Sequence, residues 1–217
     1  GGEQDIRKMG GLRKKMPVTY WTFLAATLAI SGIPPFSGFF SKDMILEKAF
    51  EHNILLYALA LFGALLTCFY MFRLFYLVFY GEQRFAEVHA HESPKVMTVP
   101  LIILGILSVF GGFLNLPSLF GGNLNFSQFL QNAVSSKVSG EISHGTEIVL
   151  ILLSITVLGL VILYAYRIFI RKAIIPAGDS EPMSAMARLV TNKFYIDEIY
   201  AFVFEKPFGS FSNFLFK

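Results

Sequence analysis

Four stretches of this chain run for 19 or more residues without one charged side chain: Val18–Phe40, Ile54–Phe72, Val96–Leu116 and Ile148–Tyr166. A helix rising 1.5 Å per residue needs about 20 residues to cross a hydrocarbon core of roughly 30 Å. Each stretch meets that length. Barrel strands would alternate in polarity over about ten residues, and these do not. In lipid the backbone must then close its own hydrogen bonds as helix. The expected fold is all-α: a polytopic helical membrane protein with four transmembrane helices, the first discontinuous, and a surface-lying C-terminal tail. Composition agrees. Apolar residues make up 54% and charged residues 15% of the 217, too few charges to cover a water-facing exterior.

Charge placement sets the expected topology. Of the 18 Lys and Arg residues, 15 fall before the first span, between the second and third, or around and beyond the end of the fourth. By the positive-inside rule, both ends of the chain face the cytoplasm or its equivalent. The net charge of +3 is not gathered into a basic patch with interleaved aromatics, so nucleic acid is not an expected partner. A single cysteine, Cys68, rules out an intrachain disulfide and a cysteine-based metal cluster. The start at Gly1-Gly2, followed by a basic stretch that looks like an inter-helix loop, suggests a part of a longer membrane protein.

The stretch Ser31-Gly32-Ile33-Pro34-Pro35-Phe36-Ser37-Gly38-Phe39-Phe40-Ser41-Lys42-Asp43 interrupts the first span. Gly32, Pro34, Pro35 and Gly38 cannot continue a regular helix. A break at membrane depth is tolerated only inside protein or beside a water-filled cavity, and discontinuous helices mark ion sites in many transporters. Two readings stay open from the residues alone. Either the helix ends at Phe40 and leaves Lys42 and Asp43 in an aqueous loop, or a second half-helix from about Phe39 to Glu51 holds Lys42 inside the membrane. The apolar residues on both sides of the Lys-Asp pair favour the second. A lysine at the midplane costs roughly 2.5–3.5 kcal/mol on insertion scales, so it needs a partner or water, and a function. Lysine amines suit proton relay because burial penalises their charged form.

Other candidates carry less. Arg73 near a boundary reads as a snorkelling side chain or as a partner in a proton path, with Thr67 and Tyr70 candidates for the same helix face. Glu87, His89, His91 and Glu92 form a short potential ligand cluster, for which a solvated loop is the default. His144 and Glu147 are expected at the interface, as is His52 at the opposite turn. Gly111-Gly112 and Gly121-Gly122 lack the strand and lysine of a phosphate loop. Tyr20-Trp21 reads as an interfacial anchor, and the segment Phe126–Val138 as an amphipathic stretch along the interface. Pro176, Gly178 and Pro182 read as loop breakers.

The segment Asp5-Ile6-Arg7-Lys8-Met9-Gly10-Gly11-Leu12, the Ser31–Asp43 stretch, and Phe72-Arg73 through Phe79-Tyr80-Gly81 together resemble the subunit L family of NADH:quinone oxidoreductase, respiratory complex I. These antiporter-like membrane proteins are related to components of the multisubunit cation/proton antiporters. Asn192–Tyr200 also looks like the family segment leading to a long lateral helix. The match is specific over residues 1–81, fair over 192–207, and rests on hydropathy between them.

The resemblance implies proton translocation by a subunit with no redox centre of its own. It implies no metal and no cofactor in this chain: NADH, flavin, iron–sulfur clusters and quinone would belong to other subunits. Lys42 matches the broken-helix lysine near the proton exit, with Asp43 beside it. Residues 1–81 would supply the last two helices of an antiporter-like repeat, broken helix about 18–52 and helix about 54–80. Residues 82–171 would add two further spans, 96–116 and 148–170, and 172–217 an interfacial tail. Implied partners are the other membrane-arm subunits, especially the adjacent antiporter-like one, and the bilayer of a bacterial inner or plasma membrane or its equivalent. The family's upstream glutamate–lysine pair and its central lysine and histidine have no counterpart here, so this piece alone would not pump. A cation/proton antiporter component without redox partners, or a purely structural bracing module, are the alternatives.

Overall fold

The computed structural model describes residues 4–84, 90–115, 129, 143–175 and 184–216. Glu87, His89, Gly121-Gly122, Phe126–Val138 apart from Phe129, and the breakers Pro176, Gly178 and Pro182 lie outside them. The elements formed by the described residues are all helical, with no strand among them. The chain divides into two units, Gly1–Ile175 and Pro176–Lys217.

In the first unit, α1 runs Pro17–Ser31, α2 Ser37–His52, α3 Ile54–Phe79, α4 Lys95–Phe110 and α5 His144–Tyr166. A 3-10 turn, Gly111–Asn115, extends α4, and a π turn, Arg167–Arg171, extends α5. Three of these helices are long and apolar enough to cross a membrane: Ile54–Phe79, Lys95–Asn115 and His144–Arg171. Their outward faces carry large apolar side chains such as Phe62, Leu104 and Leu160, each about 60% exposed, as a lipid-facing surface requires.

The first apolar stretch is divided between α1 and α2, and local chemistry explains where. Gly32 adopts the left-handed conformation (φ 79°), which costs glycine little, and ends α1 in a Schellman motif. There the Gly32 N–H donates to Ala29 O and the Ile33 N–H to Leu28 O. Proline at 34 and 35 prevents any continuation. The chain re-enters helix at Ser37, and Gly38 lets α2 lie directly on α1, because a Cβ there would collide with the Ala29 carbonyl oxygen.

Packing fixes which ends meet. Leu12, Tyr20, Phe75 and Phe79 form one cluster, which brings the start of α1 to the end of α3. Tyr76 and Tyr166 stack edge-on at 6.0 Å, so α5 ends there too. At the opposite end Leu46, Ala49 and Tyr57 pack with Leu150, joining the end of α2 to the starts of α3 and α5. Between them Cys68, Phe72, Leu158 and Ala165 fill the middle, and Cys68 and Ala165 are fully buried.

Two expectations are corrected here. Tyr20 and Trp21 do not act together as an interfacial anchor: Tyr20 is 3% exposed and only Trp21, at 60%, faces outward. Neighbours on a helix point about 100° apart, and here that turn aims Tyr20 at α3 and leaves Trp21 outside. Tyr20 instead stacks on Phe75 and shares a hydrogen bond with Tyr80 (2.9 Å between hydroxyls).

Glu92 is not simply a solvated loop residue. The α1 N-terminus has no side-chain cap of its own. The Glu92 carboxylate accepts from the Val18 N–H (2.7 Å), the Thr19 N–H (3.4 Å) and the Thr19 hydroxyl (2.7 Å). A negative charge satisfying donors at a positive helix end is favourable on both counts.

The second unit holds α6 (Ala185–Thr191), α7 (Ile196–Tyr200) and α8 (Lys206–Phe216), the last two joined by a π turn, Ala201–Glu205. Lys193 pairs with Asp197 one turn on (2.7 Å), which holds its ammonium pKa above the usual lysine value.

Candidate functional site

Lys42 lies in the second turn of α2, not in a loop, and its side chain reaches back to α1. A helix leaves its last four carbonyls without partners. In α1 these belong to Leu28, Ala29, Ile30 and Ser31. The Schellman motif satisfies the first two, and the Lys42 ammonium donates to the other two, Ile30 O and Ser31 O, both at 3.2 Å. A cation at the negative end of a helix is placed where the peptide dipoles favour it.

An ammonium has three donors, and α1 uses two. Lys42 also lines a cavity with about 10 Å3 open to the centre of a water molecule, close to the minimum for holding one water. Gly32, Phe39, Asp43 and Ser154 share that lining, with Leu61, Ala64 and Leu158 as apolar wall. The depth follows from the helices. Ala64 is ten residues into the 26 of α3 and Ser154 ten into the 23 of α5, so each stands about 15 Å from its helix start.

The environment is polar on one side. Asp43 interacts electrostatically with Glu47, one turn further along α2, and with Glu147 on α5. On α1, the buried Thr27 hydroxyl has no hydrogen-bond partner among the described residues, while the buried Ser31 hydroxyl has the Cys68 thiol beside it. An orphan such as Thr27 costs about 1–3 kcal/mol unless water satisfies it.

Among the residues singled out from sequence, Gly32, Lys42 and Asp43 share this cavity. Thr67, Tyr70 and Arg73 do not line it. The Thr67 hydroxyl returns to Gly63 O of its own helix (2.9 Å), and Tyr70 is half exposed. Among the described residues no group of His, Cys, Asp and Glu side chains could hold a metal ion. Sequence alone assigned no site role to Ser31, Cys68, Ser154, Glu47 or Glu147. The one available signal was Ser154, which with Thr156 interrupts a largely apolar run, and its pairing with α2 is a tertiary fact.

At the end where α1 starts, electrostatics fasten the loops. Burial would raise the Glu92 carboxyl, but the hydrogen bonds from Thr19, Val18 and Ser93 outweigh it and hold its pKa below the usual carboxylate range. Arg84 donates to Ile6, Arg7 and Leu77 carbonyls, and burial lowers its pKa.

Comparison with known proteins adds an independent line. Residues 1–67 match the family model described as NADH:quinone oxidoreductase/Mrp antiporter, transmembrane. The chain is 37% identical over 212 residues to NADH-quinone oxidoreductase subunit L of Rickettsia bellii, covering 94% of this chain and 33% of the relative. To NAD(P)H-quinone oxidoreductase chain 5 of a Picosynechococcus species it is 39% identical over 228 residues, 93% of this chain and 33% of the relative. To subunit L of Mycobacterium tuberculosis it is 40% identical over 217 residues, 97% and 33% respectively. The chain spans about a third of the length of these curated relatives.

Proposed function

From the premise that this chain belongs to the NADH:quinone oxidoreductase/Mrp antiporter family of membrane proteins, we propose that it is part of a proton-translocating, non-redox subunit of respiratory complex I. Lys42 is its proton carrier, alternating between ammonium and neutral amine, with Asp43 setting the local charge. The observation that carries this reading is the seat of the amine. It bridges the broken end of α1 to a water-sized cavity about 15 Å from the helix starts.

Such a seat suits two states. With the proton on, the cation satisfies two carbonyls and the dipole of α1. With it off, the neutral amine loses charge-assisted bonds but also sheds the desolvation penalty of a membrane-buried charge. The energies oppose each other, so the proton can be exchanged. The loops rich in Lys and Arg face the cytoplasm or its equivalent, and the end formed by the starts of α3 and α5 faces the opposite side. Partners are the other membrane-arm subunits.

The test is Lys42→Met in the full-length protein within its assembled complex, in vesicles. Protons moved per NADH oxidised should fall while electron transfer to quinone persists with an uncoupler present. An unchanged ratio would remove Lys42 from the path. The family model also covers Mrp antiporters, which supports a second reading as a cation/proton antiporter component. That reading expects cation-driven proton exchange without NADH.

A further inference from the structure

Lys42 has no assigned carrier to take its proton out of the bundle. Polar groups leaving the cavity in one direction become steadily less buried. Asp43 and Ser154 line the cavity itself. Ser154 is 6% exposed, and no hydrogen bond to its hydroxyl is found among the described residues, so that polar atom is left to the cavity. Glu47 follows Asp43 by one turn on α2. Glu147 precedes Ser154 by two turns on the same face of α5. The charges of Asp43, Glu47 and Glu147 lie within interaction range of one another. The Glu147 side chain is 17% exposed and stands 3.5 Å from His144, which is 80% exposed. Lys48, 61% exposed and paired with Glu51 at 2.7 Å, offsets part of this negative charge at Glu47, to which Glu51 adds.

We infer that Glu147 on α5 is the outlet carrier for the proton that Lys42 releases. The route runs from Lys42 through a water held by Asp43 and Ser154 to the Asp43 carboxylate, then through Glu47 to Glu147 and His144. Lys42 becomes the neutral amine, and each carboxylate gains and then gives up the same proton, so charge balances at every step. Close carboxylates titrate as a coupled set and readily share a proton. His144, 80% exposed, opens the end of the route to solvent. The inference rests on the reading of Lys42 given above.

The experiment uses the assembled complex in vesicles, with protons moved per NADH as the readout. Glu147→Gln should lower the ratio by the same fraction as Lys42→Met. The double variant should fall no further than either, and Glu147→Asp should restore at least half the loss. A wild-type ratio in Glu147→Gln, or additive losses in the double variant, would overturn the outlet while leaving Lys42 in place. Wild-type ratios in both single variants would remove the underlying reading as well. If Glu147→Gln does not assemble, Ser154→Val takes its place, since it removes the cavity hydroxyl without changing charge. The same loss is then expected, and a wild-type ratio would overturn the route.

Discussion

The Lys42 amine donates to the Ser31 carbonyl oxygen at 3.2 Å, so a cation carried by α2 closes the C-terminus of α1. One side chain thus has a structural task and a proposed chemical one. The structural task makes its own prediction. Lys42→Met leaves the Ile30 and Ser31 carbonyls without a partner, at about 1–3 kcal/mol for each orphan that water cannot reach. The assembled complex should melt at a lower temperature, and Lys42→Arg should recover part of the difference. Equal melting of wild type and Lys42→Met would show that water caps α1 as well as lysine does.

Gly38 decides whether the two half-helices can meet. Alanine there drives a Cβ into the Ala29 carbonyl oxygen, a backbone atom that cannot rotate aside. Overpacking of this kind costs about 1–3 kcal/mol. Gly38→Ala should lower both the assembly yield and the melting temperature. Gly63→Ala, where nothing lies within 4 Å, should be neutral or gain up to about 1 kcal/mol in helix propensity. Equal behaviour of the two alanines would refute the close approach.

The helices and the interruption were legible in the residues because charge-free length, glycine and proline report directly on backbone and solvent. Gly32, Pro34 and Pro35 mark a stop that neighbours cannot override. The partners across helices were not legible. Nothing in the sequence joins Ser154 or Glu147 to Lys42, because that pairing depends on how α5 packs against α2. Tyr20 and Trp21 show the same limit: both suit an interface by composition, and packing against Phe75 assigns one of them to the core.

Glu92 stabilises α1 from 74 residues away in sequence. Its folded pKa lies below the ordinary carboxylate value of about 4.3. The stabilisation is therefore fully present above that value and is lost as pH falls through the lower folded one. Glu92→Ala should cost about 0.5–2 kcal/mol at pH 7, as helix-cap removals do. The gap in melting temperature between wild type and Glu92→Gln should close on acidification to below about pH 4. A gap that stays constant with pH would contradict the cap.

Tyr20 and Trp21 should differ sharply on truncation. Tyr20→Ala empties a site packed by Phe75 and Phe79 and bonded to Tyr80. Losses of about 3–5 kcal/mol are typical for large aromatic residues in a core. Trp21→Ala removes a lipid-facing ring and should leave the melting temperature of the detergent-solubilised complex nearly unchanged. Comparable losses in the two variants would place Tyr20 outside the core.

The proton-carrying role proposed for Lys42 requires its nitrogen to sit within the membrane thickness, enclosed by α1, α2, α3 and α5. Thiol labelling of Lys42→Cys in a Cys68→Ser background, in sealed vesicles, measures this directly, with Lys48→Cys at the exposed end of α2 as reference. A bulky membrane-impermeant reagent should modify position 48 from one side and position 42 at least tenfold more slowly from both. Labelling at position 42 as fast as at position 48 would put the amine in bulk water and contradict the account.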